Sequence, residues 1–177
     1  MIVAEIKKKE NVVEYIIYLK QVQDIIRANN FDINKIDRLI ISKYQVDPKT
    51  ENQIKEWYSD FILSMKSEKL EKSGDIDTIR NLTDELNKIH LALLSDENNY
   101  KHQELYRWAK PNIEEYKKIS RQGSDNEIEI AINALYGLLL LRLQKKEISV
   151  ETIEAMQTFS NLLAHIALVY HKLHPEG

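Results

Sequence analysis

A chain of 177 residues that is 43% apolar and 30% charged has enough hydrophobic material for one core and enough charge to stay dissolved, which excludes disorder as the default. Its net charge of −3 supplies no electrostatic pull toward a nucleic-acid backbone. The absence of cysteine excludes disulfides, thiolate metal sites and cysteine nucleophiles, and fits a reducing, cytoplasmic setting.

Glycine and proline number only 4 and 3, too few for the tight turns of an all-β fold. No composition shift marks a linker, so residues 1–177 are predicted to form a single all-α, bundle-like domain of about seven helices. The N-terminus lacks an apolar run of signal-peptide length ahead of a cleavage site. Lys7, Lys8 and Lys9, flanked by Glu5 and Glu10, read as a solvated helix start. The longest apolar run, Leu135 to Leu141, ends at Arg142. That is short of the ~20 residues a membrane-spanning helix needs, so it is predicted to be a core helix and not an anchor.

In chain order, the first helix is predicted from about Lys8 to Asn29, with apolar side chains over more than half of its circumference. Asp32 is placed as the N-cap of a short second helix carrying Ile36 and Leu39. Asp47-Pro48 starts a third, since proline at the first helical position has no N–H to waste. Its stripe is Ile54, Trp57, Tyr58, Phe61, Ile62 and Met65. Gly74 is a turn or C-cap residue, and Asp75 opens a fourth helix with Ile79, Leu82, Leu86 and Ile89 inward.

The fifth segment keeps its apolar stripe in phase across Pro111, which predicts one kinked helix. The sixth, about Asn126 to Lys146, is apolar nearly all round and is therefore expected to be the central helix of the fold. Ser149 caps the seventh, which carries Met156, Phe159, Leu163, Ile166 and Tyr170.

Few residues stand out as chemical candidates. Arg142 lies inside an apolar arc of the sixth helix, where a guanidinium needs a carboxylate, an anionic ligand or a reach to solvent. Asn133, Gly137 and Gln144 align on one side of the same helix. Glycine inside a helix costs roughly 1 kcal/mol relative to alanine, so a close helix contact or a small polar pocket is expected there. Arg27 leans toward the apolar arc of the first helix, beside Asp24. With Arg142 it either frames an anion site or anchors a separate ion pair.

His90 sits on the apolar face of the fourth helix. It is either a hydrogen-bonded core residue or an acid–base group. His165 is read on the polar face of the last helix. His171 and His174 form a His-x-x-His pair at a helix end, but no third zinc ligand lies within sequence reach. No phosphate loop, nucleophile elbow or dinucleotide fingerprint is present, so neither a cofactor nor a metal is expected.

The segments EYIIYLKQVQDIIRANNFDINKIDRLI and NALYGLLLLRLQKKEIS resemble the signature segments of a family of small helical proteins from Bacteroidetes, known only as a domain of unknown function. The resemblance extends over the whole chain. It implies a bacterial, intracellular helical domain and assigns no catalytic or binding residue.

The function expected first is therefore non-enzymatic binding of a protein partner or of a second copy, driven by apolar surface on the first and sixth helices. A helical domain that binds an anionic small molecule through Arg142, Arg27, Asn133, Gly137 and His90 is the alternative. An enzyme using His90 as acid or base is the third.

Overall fold

The computed structural model describes residues 2–120 and 123–175. Eight α-helices and one 3-10 turn are found among them, with no strand: α1 (Ile2–Glu10), α2 (Val12–Ala28), α3 (Ile33–Leu39), a 3-10 turn (Ile41–Tyr44), α4 (Pro48–Ser67), α5 (Asp77–Ser95), α6 (Tyr100–Ile119), α7 (Glu127–Leu143) and α8 (Val150–Leu173). The protein is all-α and bundle-like.

The predicted first helix is two. Asn11 takes an extended backbone, φ −158° and ψ 108°, and its side chain accepts from the N–H groups of Val13 and Glu14. An asparagine side chain that satisfies two otherwise free donors starts a new helix in place of continuing the old one. Lys7, Lys8 and Lys9 consequently form the last turn of α1, where cations oppose the helix dipole. Asn11→Ala is expected to cost about 1 kcal/mol, or a melting point lower by roughly 2–4 °C by calorimetry.

The other starts follow side-chain chemistry. Asp32 accepts from Asn34 and Lys35 N–H, Asp47 from Lys49 and Thr50 with Pro48 behind it, and Asn126 from Ile128 and Glu129. Ser149 accepts from Thr152 N–H. The fourth predicted start is corrected. Ile76 occupies the cap position of α5 without a side-chain bond, because the Asp75 carboxylate is turned toward α2. α6 runs unbroken through Pro111, whose ring is exposed.

One cluster of buried apolar residues draws on α2 through α8, with Ile16, Tyr58, Leu86, Ile113, Ile128 and Phe159 among its members. α7 and α8 lie against each other, and each also meets α2, α5 and α6. α4 joins by aromatic contact, its Trp57 ring lying 6.4 Å from that of Tyr18 in α2.

The apolar run of α7 is central only over its first half. Ile128, Ile130, Ala131, Ile132 and Ala134 are buried, whereas Leu135 to Leu140 are half-buried and Leu141 and Leu143 are exposed. No helix among the described residues is long and apolar enough to cross a membrane.

Candidate functional site

Where α7 leaves the core, its second half, the second half of α6 and the start of α8 enclose a groove of about 610 Å³. That volume falls in the range of small-molecule sites. Its apolar lining comes from Ala134, Gly137, Leu138 and Leu141 of α7 with Ala155 and Met156 of α8. α6 contributes Asn112, Glu115, Tyr116 and Ile119 at helical spacing. At the Asn112 wall, its Nδ2 donates to Thr158 Oγ1 at 3.0 Å and ties α6 to α8.

Gly137 makes room at this place. A Cβ built there meets only the Tyr116 hydroxyl, 3.8 Å away, and no backbone of a neighbouring helix. The close helix contact expected from sequence is therefore not what surrounds this glycine. It faces the groove, as does Gln144, while Asn133 turns elsewhere.

The rim of the groove is acidic. Glu115 and Glu151 line it, and no lysine, arginine or histidine does so among the described residues. Glu151 stands in the first turn of α8, where its own backbone N–H and the Ser149 hydroxyl hold its carboxyl below the usual carboxylate range. A cation or a neutral donor is welcome there, and an anion is repelled.

The other predicted site residues scatter. Arg142 is exposed in the last turn of α7, outside the groove lining, and not inside an apolar arc. A cation there complements the helix C-terminus. Arg27 is occupied: Nε donates to Leu70 O at 3.1 Å, and its two terminal nitrogens donate to Asp24 Oδ1 at 3.1 Å and Gly74 O at 2.5 Å.

Asn133 lines a pit of about 140 Å³ with Lys20, Asp75, Arg80, Thr83 and Glu129. At its edge Lys20 Nζ lies 2.5 Å from Asp75 Oδ2, and Gln23 Nε2 donates to Asp75 Oδ1 at 2.8 Å. Gln23 Oε1 accepts the Ile76 N–H at 2.8 Å. Lys20, Gln23 and Arg27 share one edge of α2, and together they hold the Leu70–Ile76 turn. The structure thus brings neither arginine to Gly137.

His90 has a partner that sequence reasoning passed over. Its Nδ1 lies 2.9 Å from His102 Nε2, and both side chains are 0% exposed. His90 Nε2 lies 3.5 Å from Glu127 Oε2, and Tyr106 donates its hydroxyl to Glu127 Oε1 at 3.1 Å. The His90 imidazole, seconded by that hydroxyl, holds the Glu127 carboxyl below the usual range.

His165, read as solvent-facing, instead turns toward α6. Its ring is 5.4 Å from that of His102, and its Nε2 is buried without a bond. His102 stands seven and eleven residues before Ala109 and Ile113, on their stripe, and that spacing is the signal that placed it inside. His174 does not pair with His171 but sits 3.0 Å from Glu85 Oε1 and stacks on Tyr170. Among the described residues no group of three or more histidine or carboxylate side chains could hold a metal ion.

No curated protein and no solved structure matches the chain. A family model described as "Domain of unknown function (DUF4924)" matches residues 1–177, and the chain belongs to that family.

Proposed function

We propose that this chain is a binding module whose α6–α7–α8 groove takes the apolar body of a small amphipathic molecule with a neutral or cationic head. The observation that carries this reading is the 610 Å³ groove itself, lined by aliphatic side chains and edged by Glu115 and Glu151. Apolar walls supply affinity, and a few polar groups fix orientation. The anionic ligand expected from two arginines loses its basis, since Arg27 is occupied and Arg142 lies outside the groove.

Calorimetric titration with a ten-carbon series tests it: decanol, decyltrimethylammonium and decyl sulfate, each below its micelle threshold. The first two are expected to bind one-to-one, and the sulfate at least about tenfold more weakly, as two carboxylates at the rim require. Absence of binding by all three would remove the reading.

A second reading is self-association through the same end. Ile119 and Leu141 of the groove lining are exposed, and so are Leu143 at the end of α7 and Val150 and Ile153 at the start of α8, more apolar surface than the groove itself uses. Sedimentation equilibrium separates the two, because Leu143→Glu would dissociate a dimer built there and leave the binding of decanol in place. A Bacteroidetes origin and a cytoplasmic setting belong to the same proposal, on the strength of the two quoted segments and a chain without cysteine.

A further inference from the structure

Two histidines in direct contact and wholly out of water need an explanation that packing does not supply. The 2.9 Å contact between His90 Nδ1 and His102 Nε2 has room for one proton. Its direction follows from the neighbours. Were His90 the donor, its Nε2 would present a lone pair to the Glu127 carboxylate 3.5 Å away. The consistent arrangement has His102 donating from Nε2 to His90 Nδ1, with the N–H of His90 Nε2 on the side of the Glu127 carboxylate, 3.5 Å away and short of a hydrogen bond. His102 Nδ1 is then a bare lone pair, buried and without a partner.

A proton count shows what acid does to this pair. A first added proton converts His102 Nδ1 into an N–H with no acceptor, whichever ring carries the charge. Glu127 offsets part of that cost through His90. A second added proton places N–H groups on both facing nitrogens, and the contact cannot persist. We infer that the His90–His102 pair is an acid-operated latch, closed when neutral, whose full protonation separates α5 from α6 and frees the edge where α8 packs on them.

The surroundings reinforce the direction. From α8, His165 faces His102, with Lys172 of α8 and Lys101 of α6 beside it. From α6, the Tyr106 ring lies 5.0 Å from His90, and Lys110 stands near Glu127. α7 supplies Glu127, the carboxylate within reach of His90. Burial first, then the neighbouring His90 and His165, push His102 down to about 4. Burial, with Lys101 and Lys172, lowers His165 too. An unfolded imidazole takes its proton near pH 6.5, so between there and about 4 the unfolded chain holds more protons, and stability declines as pH falls.

Amide hydrogen exchange of the full chain, corrected for intrinsic rates, reads the latch between pH 7 and 4. Protection at the start of α6 and the second half of α8 is expected to fall by about a hundredfold across that window. His102→Gln keeps an N–H donor for His90 but cannot titrate, and its loss should stay under about tenfold. In parallel, the His102 ring resonances should report a neutral imidazole until protection falls. Equal losses in both proteins would overturn the latch, as would a His102 that titrates near 6.5 with protection unchanged. Should His102→Gln fail to fold, the paired ring and amide titrations of the unaltered protein still decide.

Discussion

Asp75→Ala is expected to remove roughly 2–4 kcal/mol from the unfolding free energy, between the cost of breaking an exposed ion pair and that of breaking a buried one, because the lysine is buried and the carboxylate partly exposed. Lys20 has a side chain only 9% exposed, and without Asp75 its ammonium stays in the protein with no counter-charge at 2.5 Å. Gln23 loses an acceptor in the same step, though its bond to the Ile76 N–H keeps it in place. In a chain of this size the change corresponds to a melting point lower by about 10 °C. Urea denaturation should show the midpoint moving with little change in slope. Lys20→Met combined with Asp75→Leu is expected to recover most of the loss, because the isolated charge, and not the missing attraction, dominates the cost. A loss below about 1 kcal/mol in the single variant would mean that Lys20 escapes to water, and that Arg27 and the Gln23–Ile76 bond hold the turn without it.

Gly137→Phe should abolish binding of decanol in the groove, weakening it by about a hundredfold or more, while the protein stays folded. The benzyl group enters the volume that the ligand body would fill, and beyond the local backbone of α7 only the Tyr116 hydroxyl lies within 4 Å of the first added carbon. Gly137→Ala is the matched control. It adds one methyl at ordinary contact distance and removes a helix-interior glycine, so stability should rise by about 0.5–1 kcal/mol with binding nearly intact. Calorimetric titration of the three proteins side by side checks both halves. Undiminished decanol binding by Gly137→Phe would place the ligand elsewhere and withdraw the groove from the proposed function.

Much of the fold is legible because helix starts are chemical events. Asp32, Asp47-Pro48, Asn126 and Ser149 all cap the helices that periodicity predicts. Asn11 escaped notice because apolar residues follow it closely and lysines precede it, so the pattern runs on while the backbone breaks. Asp75 has the composition of a cap but serves a partner 55 residues earlier.

The groove is legible only at Gly137. A helix wheel can mark a missing side chain, but whether the gap is filled depends on which helix lies opposite, and that is a matter of topology. Arg142 misleads for a related reason. The wheel describes an infinite helix, whereas this residue sits on the last turn, past the end of the core. The histidine pair required knowing that α5 and α6 meet side by side with His90 facing His102. Each ring is visible on its own stripe, but their contact is not.

The turn between α4 and α5 is shaped from outside itself. Lys20, Gln23 and Arg27 grip the carbonyls of Leu70 and Gly74, the Ile76 N–H and the Asp75 carboxylate, while Glu71, Lys72 and Ser73 point into solvent. Mutational tolerance is thereby displaced along the chain. The three solvent-facing letters are free to vary without altering the loop they belong to, and the information that fixes its path is written on a helix completed some forty residues before.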